Sequence, residues 1–114
     1  MLHTTPEQAK KLREAGLSYS SADMMYVLDF VSQGYQGPHF ITKYLQPEGS
    51  DIILWSLDSL EEILLMQDRY EVEMIYKGGL WTIDLRSSDG SIMRFRKPSK
   101  LDAIVDSVIW YLKN

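Results

Sequence analysis

Two histidines are the side chains of this 114-residue sequence best suited to proton transfer near neutral pH. His3 lies in the N-terminal segment, and His39 follows Gly37-Pro38, which is a turn signal. Catalysis or metal binding at either histidine would need a carboxylate brought close by the fold. Isolated histidines are common in loops, so neither one predicts a catalytic centre.

Four acidic residues near the start of a helix predicted over 57–67 are further candidates for acid–base chemistry or cation binding. They are Asp51, Asp58, Glu61 and Glu62. Carboxylates are favoured at helix N-termini in any case, because the helix dipole is positive there. The sequence has no cysteine, which excludes a disulfide framework and a cysteine–zinc site. We therefore predict no catalytic residue, no metal site and no bound cofactor.

Four of the 12 basic residues form a cluster in the sequence, which consists of Arg94, Arg96, Lys97 and Lys100. On a strand, Arg94 and Arg96 project from the same face and would suit a phosphate backbone or another anionic partner. The favoured alternative is that they pair with acidic residues of neighbouring strands. The formal net charge of −4 also argues against a dedicated nucleic-acid-binding protein. Nucleic-acid binding through this cluster is the alternative function.

Trp110 is the aromatic residue with the least expected position. In a helix predicted over 99–113, the apolar residues fall on one broad arc when they are placed about 100° apart. Trp110 falls outside this arc, close to Ala103. Because tryptophan is enriched at the centres of interfaces, these two residues are predicted to contact a partner. The alternative is that the helix predicted over 6–15 or the segment 34–50 covers Trp110.

The elements that position these residues are centred on an antiparallel β-meander. Alternating apolar residues predict its strands over 71–76, 80–86 and 91–96. Gly78-Gly79 lies between the first two strands and suits a two-residue type I′ turn, in which both residues have positive φ.

The length of the second turn follows from the alternation of side chains between the two faces. A two-residue turn would place the apolar residues of adjacent strands on opposite faces. A three-residue loop over 88–90 instead pairs Leu85 with Met93 on the core face. It also places Arg94 opposite Asp84, which predicts an ion pair on the solvent face.

Two more helices are indicated by capping residues at their N-termini. One is predicted over 6–15, where Thr5 is the N-cap, and the other over 57–67, where Ser56 or Asp58 is the N-cap. Each carries apolar residues at helical spacing, so each is expected to pack against the meander with one face.

The segment 20–33 is ambiguous, because its apolar residues fit a helical period and also alternate as in a strand. If strands form near 24–30 and 39–45, they would extend the meander. We predict a single α+β domain over 1–114, with the meander packed against the three helices.

Seven segments of the chain resemble small uncharacterised proteins that are common in Bacteroidetes genomes and their prophages. They read TPEQAKKL at 5–12 with AGL at 15–17, ADMMYV at 22–27, LWSLDSLEEIL at 54–64, and the stretches 70–76, 79–81 and 101–112. That group has no assigned activity, so the resemblance implies no catalytic residue. It implies a strand over 24–30 and an accessory protein of a mobile element.

Taken together, these patterns predict a non-catalytic protein–protein interaction or accessory module that binds a protein partner or self-associates. An enzyme of unknown type is the least favoured alternative. The N-terminus lacks the features of a signal peptide, and no apolar run reaches the roughly 20 residues that a membrane span requires. We therefore expect a soluble cytoplasmic protein without membrane contact.

Overall fold

The computed structural model describes residues 2–29 and 31–114. They form two compact units, of which the first ends at Ser59 and the second spans Leu60–Asn114. Within the described ranges there are three α-helices and two three-stranded antiparallel sheets, so the predicted α+β class is confirmed. None of the described helices is long and apolar enough to cross a membrane. The single domain over 1–114 stays a prediction.

The first unit combines one helix with one sheet. Its elements are α1 (Pro6–Glu14), β1 (Met24–Asp29), β2 (Gly34–Phe40) and β3 (Ile52–Leu54). The strand order is β2-β1-β3, and α1 packs on β3. Helix α1 begins at the predicted cap, where the Thr5 hydroxyl accepts from the Gln8 N–H and the Gln8 side chain accepts from the Thr5 N–H. This capping box satisfies two N–H groups at the start of the helix.

The ambiguous segment 20–33 contains a strand, so its helical alternative is wrong. The strand predicted over 24–30 is present as β1, and Phe30 lies outside the described residues. β1 is the central strand of its sheet and is paired on both sides. The consecutive residues Met24 and Met25 are both buried, so both faces of the strand are covered at this point.

The strands of the first unit do not extend the meander, contrary to the expectation for 24–30 and 39–45. Both edges of β1 are occupied, by β2 and by the short strand β3, so β1 has no free edge for a further strand. β2 also lies earlier in the chain than expected. It ends at Phe40, and beyond it Thr42 and Leu45 form an isolated bridge.

The second unit contains the meander. Its elements are β4 (Glu71–Lys77), β5 (Leu80–Arg86), β6 (Ile92–Lys97) and α3 (Lys100–Lys113), and the boundary between the two units falls within α2 (Leu57–Met66). The strand order is β4-β5-β6, and α3 packs on β5 and β6.

Both turns of the meander have the predicted lengths. Gly78 and Gly79 have φ values of +62° and +81°, as a type I′ turn requires. Gly90, at φ +89°, ends the three-residue loop, which is closed by a hydrogen bond from the Ser87 N–H to the Ser91 carbonyl. The predicted pairs Leu85–Met93 and Asp84–Arg94 are therefore confirmed, and the same register pairs Tyr76 with Trp81, Met74 with Ile83, Val72 with Leu85 and Ile83 with Phe95.

The two faces of this sheet differ in burial. The inner face carries Ile83 and Leu85, which are buried on the side where α3 packs. The opposite face, called the outer face below, consists of Glu71, Glu73, Ile75 and Lys77 on β4, Leu80, Thr82, Asp84 and Arg86 on β5, and Ile92, Arg94 and Arg96 on β6. All of its residues on β4 and β6 are exposed to solvent.

Candidate interaction surface

The four residues of the predicted basic cluster do not form one patch. Arg94 and Arg96 share the outer face, because they are two residues apart on β6. Lys97 is on the inner side, where its Nζ lies 3.5 Å from the Asp106 carboxylate of α3. Lys100 is the first residue of α3, and its Nζ donates to the Glu61 carboxylate over 3.1 Å. The strand–helix boundary thus separates residues that are neighbours in the sequence.

Arg94 makes a bidentate ion pair with Asp84, as the register predicted. Its Nε and Nη2 donate to the two carboxylate oxygens over 2.7 and 2.9 Å. The side chain of Asp84 is only 13 % exposed. The hydrogen bonds and the charge of Arg94 hold the pKa of Asp84 below its ordinary value, and the same contact raises the pKa of Arg94.

The contribution of this pair to stability should depend on pH. Because the pKa of Asp84 is lower in the folded than in the unfolded state, the contribution is present above the unfolded value of about 3.9 and is lost as the pH falls through the folded value. A double-mutant cycle with Asp84→Asn and Arg94→Met should give a coupling worth a few degrees in Tm at neutral pH and a smaller coupling near pH 2. Thermal unfolding followed by circular dichroism measures it, and an equal coupling at both pH values would contradict the assignment.

The outer face contains a shallow groove of about 420 Å³ at the end where β4 and β5 are joined. Two aliphatic side chains in it are partly exposed, Ile75 at 44 % and Leu80 at 39 %. Lys77 and Arg96 also line the groove, and neither has a carboxylate within 4.0 Å among the described residues. A third aliphatic residue of the outer face, Ile92, is 45 % exposed. The groove therefore combines apolar surface with unpaired positive charge.

Trp110 is partly buried by residues of its own unit. Its ring centroid lies 5.4 Å from that of Tyr70 and 6.3 Å from that of Phe95 on β6. Neither ring contact comes from the helix at 6–15 or from the segment 34–50, the two parts of the chain that were expected to cover Trp110 if it was not at a partner contact. Ala103 is fully buried, so it offers no surface to a partner. The helical projection placed Trp110 and Ala103 together outside the apolar arc. It could not show that other residues of the unit also contact α3 on that side.

Trp110 also lines a small apolar cleft of about 300 Å³. The other apolar residues lining it are Tyr70, Leu85, Ile92 and Met93. Sequence reasoning missed Tyr70, because it lies before β4 and outside any periodic element. Its neighbour Arg69 donates to the main-chain oxygens of Tyr111 and Asn114 at the C-terminal end of α3. Basic groups are favoured at this end of a helix, so Arg69 stabilises α3.

The histidines and the acidic group do not assemble into a site. His39 is exposed on β2, and Nδ1 of His3 donates to the neighbouring Thr4 carbonyl over 2.8 Å. Asp51 accepts backbone N–H groups of Leu28 and Glu48, which orders its loop. Among residues 2–29 and 31–114, no group of three histidine or acidic side chains is placed to hold a metal ion.

A buried serine–carboxylate pair was also missed from the sequence. Ser56 is 1 % exposed, and its hydroxyl and N–H both donate to the Asp23 carboxylate. The hydroxyl oxygen accepts from the Ser59 N–H over 3.1 Å, so Ser56, and not Asp58, is the N-cap of α2. Because the hydroxyl is buried and bonded on both sides, we assign the pair a structural role.

The outer face of the second sheet is therefore the candidate interaction surface. Its residues on β4 and β6 are exposed, and it combines acidic, basic and aliphatic side chains, which suits recognition of another surface by contact. Comparison with protein-family models, with curated proteins and with solved structures found no match to this chain.

Proposed function

We propose that this protein is a non-catalytic protein-interaction module and that its outer face is the binding surface. The observation that carries the proposal is the exposure of Ile75, Leu80 and Ile92, at 39–45 % each, on a sheet face that otherwise bears charges. An antiparallel sheet with one solvated face usually places polar residues there. Contact with a partner would remove these aliphatic side chains from water, which stabilises the complex.

Three features support a protein partner over a nucleic acid. The outer face has no aromatic side chain on which a base could stack. Glu71 and Glu73 lie on the same face and would repel phosphates. Lys97 and Lys100 are held in ion pairs away from it. The nucleic-acid alternative predicts binding that weakens steeply with salt, and it stays a prediction.

An accessory role in a mobile element is the biological setting that we propose, and the sequence resemblance supports it. Binding to another protein is one way to fill such a role. The outer face supplies a surface for that purpose, with a groove of about 420 Å³ at one end and a bidentate ion pair at its centre.

Selection of short random peptides displayed on phage tests the proposal. Peptides enriched on the wild-type protein should lose affinity at least about tenfold, or about 1.4 kcal/mol, on the variant Ile75→Asp. Val31→Asp is the matched control, because Val31 is an exposed aliphatic residue of the first unit, at 96 % exposure. It should leave peptide binding unchanged.

The two variants must first show the same Tm as the wild type within a few degrees, so that a loss of binding reports on the surface. Two results would overturn the proposal. One is the absence of any enriched peptide, and the other is enrichment of peptides that bind Ile75→Asp as tightly as the wild type.

A further inference from the structure

Among the edge strands of the two described sheets, β4 is the one that is long, regular and mixed in charge. β3 has only three residues, and β2 contains Pro38, which lacks an N–H, and shifts its register with β1. β6 carries Arg94, Arg96 and Lys97 without an acidic residue, so it would repel a copy of itself. β4 pairs with β5 over its full length and has neither a proline nor a bulge, the devices that usually protect an edge.

The register of the hairpin shows which main-chain groups of β4 point away from β5. In a two-residue hairpin the residues beside the turn bond to each other, here Lys77 and Leu80, and bonding then alternates along the strands. Val72, Met74 and Tyr76 therefore direct their N–H and carbonyl groups outward from the sheet edge. No main-chain group of the described residues pairs with these outward groups.

We propose that this edge binds a second copy of the chain, with the two β4 strands paired antiparallel about a two-fold axis at Met74. The two meanders then form one continuous sheet, in the order β6-β5-β4-β4-β5-β6. A half-turn about Met74 places Val72 of each copy opposite Tyr76 of the other. Every outward N–H and carbonyl group of β4 then has a partner. This interface is the strand edge, so the inference goes beyond the proposed outer-face function.

The side chains of β4 are complementary to their own copy in this register. Glu71 lies opposite Lys77 of the second copy, and the symmetry repeats the pair. Neither residue has an opposite charge within 4.0 Å among the described residues. Their main chains bond to β5, so they form a non-hydrogen-bonded pair across the axis, in which side chains approach most closely. Glu73 lies opposite Ile75, diagonally between Glu73 and Lys77 of the second copy, so it meets one charge of each sign.

The two neighbouring registers are less favourable. A shift of two residues in one direction places Glu73 opposite its own copy and Lys77 opposite Arg69, so that like charges meet. The opposite shift pairs Glu73 with Lys77. It also places Val72 opposite Gly78, which belongs to the turn with φ +62°, so the outward groups of Val72 lose their partner. The length and the charges of β4 therefore favour the register centred on Met74.

The size of this interface sets the expected affinity. One strand edge buries less than the roughly 800 Å² per partner that stable complexes bury. Ion pairs exposed to water add at most about 1 kcal/mol each. The dimer should therefore be weak, with a Kd in the micromolar range or above, and it should form at high protein concentration.

Analytical ultracentrifugation of the full chain from about 10 μM to about 1 mM tests the proposal, because this range brackets a weak dimer. The wild type should shift reversibly from monomer to dimer as its concentration rises. A wild type that stays monomeric at about 1 mM overturns the proposal.

Charge exchange on β4 tests the register. Lys77→Glu should weaken the dimer at least about fivefold, because Glu71 then faces another carboxylate. The double variant Glu71→Lys with Lys77→Glu should restore the dimer, since the pair is present again with its charges exchanged. Lys43→Glu is the matched control, because it reverses an exposed lysine outside β4 and should leave the dimer unchanged. Each variant must first show a Tm within a few degrees of the wild type.

Hydrogen exchange followed by NMR tests the main-chain contacts without any substitution. The outward amide groups of β4 should exchange at least about twofold more slowly at 1 mM than at 10 μM, because dimerisation protects them. They belong to Val72, Met74 and Tyr76. The outward amide groups of β6, on the opposite edge, are the internal control and should exchange equally at both concentrations. They belong to Ile92, Arg94 and Arg96.

Three further results would overturn this inference. One is a dimer that Lys77→Glu leaves intact, and another is a double variant that stays as weak as Lys77→Glu. The third is equal exchange of the β4 amide groups at both concentrations, because another surface would then hold the dimer. If a charge variant fails to fold, exchange in the wild type still decides. Peptide selection on the outer face measures a different surface, so its result stands separately.

Discussion

Replacing Trp55 with alanine should lower the free energy of unfolding by about 3–5 kcal/mol, the range for large aromatic residues removed from a core. Trp55 has no exposed surface. Its ring stacks on Tyr19 at a centroid distance of 6.4 Å, and its Nε1–H donates to the Ser21 hydroxyl over 3.0 Å. Its N–H and carbonyl are both bonded to Thr4, which ties the N-terminal segment to the end of β3. Truncation would leave a cavity and remove the hydrogen bond that the Ser21 hydroxyl accepts, although this hydroxyl still donates to the Ser18 carbonyl.

Denaturation in urea, followed by circular dichroism, measures this loss for each variant. Trp55→Phe is the control, because it keeps an aromatic ring and removes only the indole N–H and part of the volume. It should cost about 1–2 kcal/mol. Equal losses for the two variants would show that packing of the indole is not what stabilises this region.

Replacing Asp23 with alanine should cost about 2–4 kcal/mol, because the carboxylate accepts both the N–H and the hydroxyl of the buried residue Ser56. The N–H donates over 2.8 Å, and Ser56 is in turn the N-cap of α2. Removing the carboxylate leaves two buried donors without their acceptor. It also frees the hydroxyl that orients the first turn of the helix.

Asp58→Ala is the matched control, since Asp58 is an exposed carboxylate in the first turn of the same helix. It should cost no more than about 1 kcal/mol, the usual effect of a charge near a helix N-terminus. Asp23→Asn should fall between the two, because the amide keeps one acceptor oxygen. If Asp23→Ala cost no more than Asp58→Ala in the same urea titration, the structural role of Asp23 would be refuted.

Most of the meander could be predicted because its signals are local. At Gly78-Gly79 and at the loop ending at Gly90, only one turn length places the apolar side chains of the two adjoining strands on the same face of the sheet. The register then places Arg94 opposite Asp84 without any knowledge of the rest of the chain. The cap at Thr5 was predictable for the same reason, since its partner Gln8 is three residues away.

The candidate site was only partly predictable. Strand alternation already implied that Arg94 and Arg96 share a face. The ion pairs of Lys97 with Asp106 and of Lys100 with Glu61 depend on how helices pack, and they divide the predicted cluster. Trp110 was expected at a partner contact, whereas its ring contacts come from Tyr70 and Phe95 of the same unit.

The sequence by itself therefore determined the α+β class, the register of the meander and the residues of the outer face. Each depends on alternation or on capping and turn residues within a few positions of one another. Only the tertiary structure decided that 20–33 contains a central strand, that a second sheet forms around it, and that Asp23 holds Ser56. These contacts join residues up to 33 positions apart. Their energy comes from burial, strand pairing and hydrogen bonding between distant segments, which local sequence patterns do not reveal.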